Sequence, residues 1–108
     1  MSTHEFNYGE SWKGQPIARK VIDAEPRGRA VVTGLIVDVD RIFVGGNASG
    51  RFVLDDGTGQ VELVFLGRPN VAGLSFGTCL TVEGTVRIED SRILIWNPLY
   101  RIEQENGA

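Results

Sequence analysis

The sequence contains little of the chemistry that most enzymes need. It has one histidine, His4, and one cysteine, Cys79, in 108 residues. Nucleophilic catalysis needs a base beside the nucleophile, so a single histidine near the N-terminus argues against the histidine-dependent mechanisms. Cys79 adjoins core-type residues and has no basic neighbour in the sequence to activate its thiol, which predicts an inert side chain. We expect a protein that is not an enzyme.

The same scarcity limits disulfides and metal sites. A single cysteine cannot form an internal disulfide, and one cysteine with one histidine cannot form a structural zinc site. Asp38 and Asp40 lie two residues apart on one face of a predicted strand, where they could share a magnesium ion. No third ligand is evident, so a solvated strand edge is the favoured interpretation. We expect no metal and no cofactor.

Long apolar runs and a secretory signal are also missing. The longest stretches without charge are interrupted by glycine, and no basic N-terminal stretch joins an apolar one. These observations predict a cytoplasmic protein that does not cross a membrane. The formal net charge is −3, which argues against a strong general binder of polyanions.

The residues that are present are typical of one globular domain. Hydrophobic residues make up 42% of the chain and charged residues 23%. We expect a flexible tail over residues 1–15, containing Tyr8 and Trp12, a single domain over residues 16–102, and a frayed acidic end over residues 103–108. The residues that follow Pro16 fit either one or two helical turns or a short extended segment.

The pattern from residue 30 onward predicts strands. Residues 30–41 are rich in β-branched side chains, and Gly34 among them suits a sharply bent strand, where a side chain would collide with neighbouring backbone. Residues 45–50 are predicted as a flexible loop and residues 55–59 as a tight hairpin turn. Four further strands are predicted over residues 51–54, 60–66, 80–86 and 93–96. Between the third and fourth strands, Asn70 is predicted to cap one helical turn that carries Val71 and Leu74 into the core.

Several short motifs together resemble one family. They are the glycine in the first strand, the turn Asp56-Gly57-Thr58-Gly59, residues 77–86, and Asn97-Pro98-Leu99-Tyr100. Over residues 30–102 their spacing resembles the oligonucleotide/oligosaccharide-binding (OB) domains of the tRNA-anticodon type, which occur in aminoacyl-tRNA synthetases, replicative polymerases and branch-migration helicases. Phe65-Leu66-Gly67-Arg68 is similar to a stretch in the small stand-alone actinobacterial members. The resemblance implies an all-β fold, a five-stranded Greek-key OB barrel with a short helical plug between strands three and four.

The resemblance also implies a binding face. Family members bind through the outer face of strands two and three, framed by the loops between strands one and two and between strands four and five. Phe52, Leu54, Val61 and Leu63 are predicted to point inward. Arginines at strand ends or loop edges could hold phosphates, and exposed aromatic rings could stack bases, although a solvated rim and core positions are the alternatives. The candidate nucleic-acid-binding residues are Arg41, Phe43, Arg51, Val53, Glu62, Val64, Arg68, Arg87, Arg92 and Trp96.

Two functions fit these residues. The first is a non-catalytic module for single-stranded nucleic acid, DNA ahead of RNA, that holds phosphates with arginines and stacks bases on Phe43 or Trp96. The second is a protein-interaction or oligomerisation barrel, favoured by the negative net charge and by apolar side chains on the supposed ligand face. Arginines gathered in one groove would favour the first function. Asp38, Asp40 and Glu62 lining that groove would favour the second.

Overall fold

The computed structural model describes residues 11–12 and 15–104, and β structure dominates them. The strands are, in chain order, β1 (Ser11–Trp12), β2 (Gln15–Pro16), β3 (Arg29–Val44), β4 (Asn47–Asp55), β5 (Gln60–Phe65), β6 (Cys79–Glu89), β7 (Arg92–Trp96) and β8 (Leu99–Gln104). The helical content of this part of the chain is one 3-10 turn over Val21–Asp23. The expected all-β class is therefore confirmed.

Five of these strands close into a ring. β3 pairs with β4, β4 with β5, β5 with β7, β7 with β6, and β6 pairs back with β3. The β5–β7 ladder is parallel and the other four are antiparallel. This closed ring is consistent with the predicted OB barrel. β8 pairs with β6 on the side away from β3 and runs to Gln104, so Glu103, which the sequence placed in the frayed end, belongs to a strand.

Alternate side chains of the ring strands fill its interior. Phe52, Leu54, Val61 and Leu63 are each at most 2% exposed, which confirms their inward assignment. The rings of Phe52 and Phe65 meet edge to face with 5.6 Å between their centroids. Since full burial of such a side chain contributes roughly 1.5–3 kcal/mol, the side chains inside the ring stabilise the closed barrel.

The bend of β3 is what allows the ring to close. The first half of β3 pairs with β6 and the second half with β4, with a register shift between Ile36 and Asp38. Gly34 lies just before this shift, and a Cβ there would come within 2.8 Å of the carbonyl carbon of Asp55. The prediction that Gly34 is required by close backbone approach is confirmed.

The segment before β3 covers one end of the barrel core. Ala18 forms a parallel bridge with Ala30, and Val21 is 2% exposed within the core cluster. The structure thus favours the extended alternative for this segment, with one 3-10 turn. Of the predicted tail, Trp12 lies in β1, which pairs with β2, whereas Tyr8 lies outside the described residues.

The helical plug predicted between the third and fourth ring strands is wrong. Residues 66–78 form turns and bends with no helix. Three glycines in this segment have positive φ, and a right-handed helix cannot continue through such residues: Gly67, Gly73 and Gly77. Asn70 therefore caps no helix. Val71 and Leu74 are nevertheless buried in the core cluster, which they enter from a turn.

The loop predicted over residues 45–50 is also wrong, because most of it is strand. β3 and β4 are joined by a two-residue turn at Gly45 and Gly46, whose φ angles are +57° and +84°. Two positive φ angles at the centre are characteristic of the tight turns that join antiparallel strands. The β4–β5 ladder begins only at Gly50, so the tip of the β3–β4 hairpin projects beyond the ring.

Candidate functional site

A groove lies on the outer face of the barrel, on the side of the second and third ring strands. It runs from the projecting part of β3 across β4 and β5 to β7 and has a volume of about 420 Å³. The residues that line it are Asp40, Ile42, Val44, Arg51, Glu62, Val64, Glu89, Arg92, Leu94 and Trp96. The β3–β4 turn and the β6–β7 turn flank it, as the OB resemblance implied.

The arginines of the groove are held by carboxylates. Arg51 donates from Nε to Oε1 of Glu62 at 2.8 Å, and its Nη1 lies 3.5 Å from Asp38 and 3.8 Å from Asp40. Arg92 reaches the same Glu62 oxygen at 3.4 Å. Glu62 is 8% exposed, so these contacts hold its charge in a largely buried position.

The pKa of Arg51 follows from this arrangement. The hydrogen bond to Glu62 raises the pKa of the guanidinium, burial opposes the rise, and the charges of Asp38 and Asp40 add to it. Arg51 is therefore a permanent cation whose charge is already compensated by three neighbours. Its shortest contact is with Glu62, so it serves first as the partner of that largely buried carboxylate.

Trp96 lies at the end of β7 and contributes the aromatic surface of the groove. The guanidinium carbon of Arg87 lies 4.6 Å from the centre of its indole ring, which is a cation–π contact. Arg87 also pairs with Glu89 at 2.7 Å. The side chains of Arg87 and Arg92 are about half exposed, at 52% and 51%.

The groove as a whole has a small negative charge. Arg51 and Arg92 line it together with Asp40, Glu62 and Glu89, which leaves a net charge of −1. Arginines and carboxylates therefore gather in the same place. The groove is therefore neither the cluster of arginines expected for nucleic-acid binding nor the acidic lining expected for a protein partner.

The structure separates the ten candidate residues into two surfaces. Five line the groove: Arg51, Glu62, Val64, Arg92 and Trp96. Arg87 joins them through its contact with Trp96. Val53 and Val64 are on the outer side of the sheet but are only 6% and 3% exposed, so they offer less apolar surface than the sequence suggested.

The other three candidates lie elsewhere. Arg41 and Phe43 alternate with groove residues along β3, so they project from the opposite face of the hairpin. Arg68 follows β5 and lies over the ring of Phe65 at 5.6 Å.

Sequence reasoning missed several groove residues. Ile42, Val44, Glu89 and Leu94 line the groove but were not named from the sequence. The sequence did contain a signal for Ile42 and Val44. A Gly-Gly pair between β-branched runs favours a two-residue turn, and a strand that continues up to this turn places both residues on the same face as Asp40.

Two other depressions contain none of the ten candidates. One of about 660 Å³ lies along residues 16–29, and one of about 480 Å³ lies between Lys20, Thr33 and Arg101. In residues 11–12 and 15–104 no group of three or more histidine, cysteine or acidic side chains is placed to hold a metal ion. The same residues contain no helix long and apolar enough to cross a membrane.

Comparisons with known proteins identify the architecture. No family model matches the chain, and no curated protein matches it. Among solved structures, a replication factor A related protein from Methanobacterium thermoautotrophicum has a TM-score of 0.64 at 12% identity, over 79% of this chain and 89% of that one. The fold is shared. At this identity the likeness extends to the OB-type barrel and no further.

Two other structures show the same likeness. A Replication Protein A heterotrimer bound to ssDNA matches with a TM-score of 0.60 at 15% identity, over 82% of this chain and 81% of that chain. The Stn1-Ten1 complex of S. pombe matches with a TM-score of 0.53 at 18% identity, over 68% of this chain and 57% of that chain. The barrel described above is therefore found in proteins with little sequence in common.

Proposed function

We propose that this protein is a non-catalytic module that binds single-stranded nucleic acid, DNA ahead of RNA. The observation that carries the proposal is the combination in one groove of the half-buried Trp96, the Arg87 guanidinium over its ring, and the exposed Arg92. An aromatic stacking surface beside guanidinium groups is the usual equipment of single-strand binding. The shared fold supports it, since one structure with this fold is described as bound to ssDNA.

Each part of the groove has a separate task in this proposal. Trp96 offers its indole ring to a base. Arg87 and Arg92 offer exposed guanidinium groups to the phosphates on either side of that base. Ile42, Val44 and Leu94 provide the apolar wall that excludes water from the stacked base.

The carboxylates of the groove limit the affinity. Arg92 and Arg87 must each weaken a contact with Glu62 or Glu89 before they bind a phosphate. Few counterions are then displaced from the nucleic acid, and each neutralised phosphate of a single strand contributes only about −0.7 to the logarithmic salt slope. Binding should be modest and its salt dependence shallow.

Fluorescence anisotropy of a labelled oligonucleotide at two ionic strengths tests the proposal. We expect saturable binding, and its absence at protein concentrations of about 100 μM would overturn the proposal. Trp12→Phe leaves Trp96 as the remaining one of the two tryptophans, so quenching of its fluorescence reports a base in the groove. Binding without quenching would remove Trp96 from the interface.

A protein partner in the groove is the second candidate, because one observation favours it. The groove has an apolar wall and charges that are paired with one another, with Asp38 and Asp40 beside Arg51. Tryptophan and arginine are also the residues that dominate protein interfaces. Size-exclusion chromatography with light scattering, followed by pull-down, separates this candidate from the first. A stable dimer or complex that forms while oligonucleotides fail to bind would favour the second.

A further inference from the structure

The two faces of the projecting β3–β4 hairpin differ in charge. One face belongs to the groove and has Asp38, Asp40 and the compensated Arg51. The other face has Arg41 and Phe43, and Arg68 lies beside it. We call this second surface, formed by Arg41, Phe43 and Arg68, the basic face.

Backbone geometry places Arg68 on the same side as Arg41. Arg41 is the direct partner of Gly50 in the β3–β4 ladder, so the Cβ of Arg41 and the position of a Cβ on Gly50 point to the same side. A Cβ at Gly50 would lie 2.7 Å from the carbonyl oxygen of Arg68 and 3.3 Å from that of Pro69. The chain at residues 68–69 therefore passes close to the hairpin on the side of Arg41. Phe43 follows Arg41 by two residues, about 7 Å along the strand.

The arginines of the basic face are not compensated. Within residues 11–12 and 15–104, neither Arg41 nor Arg68 forms an ion pair, whereas Arg51, Arg87 and Arg92 each do. Residues 66–78, which contain Arg68, include no aspartate or glutamate. An anion can therefore bind here without first displacing a carboxylate from either guanidinium.

Phe43 adds an exposed ring to this charge. Its side chain is 70% exposed, although phenylalanine is usually buried in a soluble domain. A guanidinium without a carboxylate partner can bind a phosphate, and an exposed aromatic ring beside it can stack on the adjacent base. The combination favours a polynucleotide over an apolar protein surface, which would not need two cations.

One single-stranded nucleic acid can reach both the groove and the basic face. The β3–β6 ladder ends at Leu35, and among the described strands the residues of β3 from Asp38 to Val44 pair with β4 alone. The edge of β3 in that stretch therefore separates the groove from the basic face by the thickness of one hairpin. A flexible single strand can cross this edge.

We infer that a single strand bound in the groove crosses the edge of β3 and makes its main phosphate contacts on the basic face, through Arg41 and Arg68, with a base on Phe43. The inference rests on the proposed function and extends it to a second surface. It gives Arg41 and Arg68 the larger share of the phosphate contacts, while Trp96 in the groove still stacks a base.

The salt dependence of oligonucleotide binding tests the inference. We expect the double variant Arg41→Gln, Arg68→Gln to bind more weakly, with a logarithmic salt slope less steep by about 1.4, because two phosphate contacts are lost. Phe43→Leu should weaken binding about fivefold or more and leave the slope unchanged, because stacking is lost and charge is not.

Lys20→Gln is the control for the loss of a positive charge outside the basic face. Lys20 is exposed and lies beside Asp56 and Thr58, which follow β4, at the end of that strand away from the hairpin. It should leave both affinity and slope unchanged. Circular dichroism spectra and thermal midpoints of all variants check that the fold is kept.

The outcomes separate the inference from the proposed function. If the wild-type protein binds but the double variant keeps its salt slope and affinity, the basic face does not contact the phosphates and the groove alone binds the nucleic acid. If the wild-type protein does not bind at about 100 μM, both the proposed function and the inference fail. A loss of slope in the double variant that Lys20→Gln does not share supports the inference.

Discussion

At the scale of single residues, Gly34 shows how one absent side chain allows a whole barrel to close. Any Cβ at this position meets the backbone of Asp55 and Asp56, which cannot move without disturbing the β4–β5 turn. We expect Gly34→Ala to lower the free energy of unfolding by about 3 kcal/mol, the upper range for overpacking.

Urea unfolding measures this loss. Gly28→Ala is the control, since its Cβ would lie 3.1 Å from the carbonyl oxygen of Glu25, a closeness that a small shift relieves. A Gly34→Ala protein as stable as Gly28→Ala would contradict the role given to the bend.

Asp56 is a second residue on which local structure depends. Burial opposes ionisation of its carboxyl, but hydrogen bonds from the Thr58 side chain and from the backbone of Val21, Thr58 and Gly59 hold its pKa below the usual value. The carboxylate thus joins the β4–β5 turn to the segment that covers the core. Asp56→Asn should lower the free energy of unfolding by about 1 kcal/mol at neutral pH, because a charged acceptor forms stronger hydrogen bonds than a neutral one.

The pH dependence of this effect has a definite sign. The pKa of Asp56 is lowered in the folded protein, so its contribution is present above the unfolded value of about 3.9 and is lost as the pH falls through the folded value. The stability difference between the wild type and Asp56→Asn should therefore shrink below about pH 4. Urea unfolding of the two proteins at neutral pH and below about pH 4 measures this difference, and a constant difference would contradict it.

At the scale of elements, the sequence predicted strands well and their connections poorly. Alternation and β-branched residues located all five ring strands, because each has one face in a common core. The plug failed because Val71 and Leu74 have helical spacing, while the positive φ of Gly67 and Gly73 that breaks the helix is not visible in a hydrophobic pattern.

The candidate site was predicted only in part, for a related reason. The OB resemblance placed Arg51, Glu62 and Val64 on the outer face. Arg87 and Arg92 were named because they fall at strand ends or loop edges, and Trp96 because its ring could stack a base. The opposite placement of Arg41 and Phe43 depends on how far β3 continues beyond the register shift after Ile36. A shift of one residue moves every later side chain to the other face, and no feature of the sequence marks its position.

The projecting hairpin should be the least stable element of the barrel. Ile42 and Val44 are only partly buried, and β4 gains its second partner strand at Gly50. We expect the backbone amides of residues 40–48 to exchange with solvent faster than those of residues 52–54 and 61–64, because local opening of the tip does not require the ring to open. Hydrogen exchange by NMR measures this difference. Equal protection in the two sets would show that the hairpin is as rigid as the ring.

At the scale of the whole molecule, a single core predicts that the protein unfolds in a single cooperative transition. The core cluster takes buried side chains from each of the five ring strands and from the segment before them. Urea unfolding followed by Trp96 fluorescence in the Trp12→Phe protein and by far-ultraviolet circular dichroism should therefore give the same midpoint. Separate midpoints would mean that part of the ring unfolds before the rest.

The open tip of the hairpin has a practical consequence. A Cβ on Gly45 or Gly46 would meet no heavy atom within 4 Å. Exposed loop tips tolerate insertions well. A short peptide carrying an environment-sensitive dye, inserted between these two glycines, would stand where the two surfaces meet and far from the interior. The barrel could in this way be converted into a sensor of its own ligand.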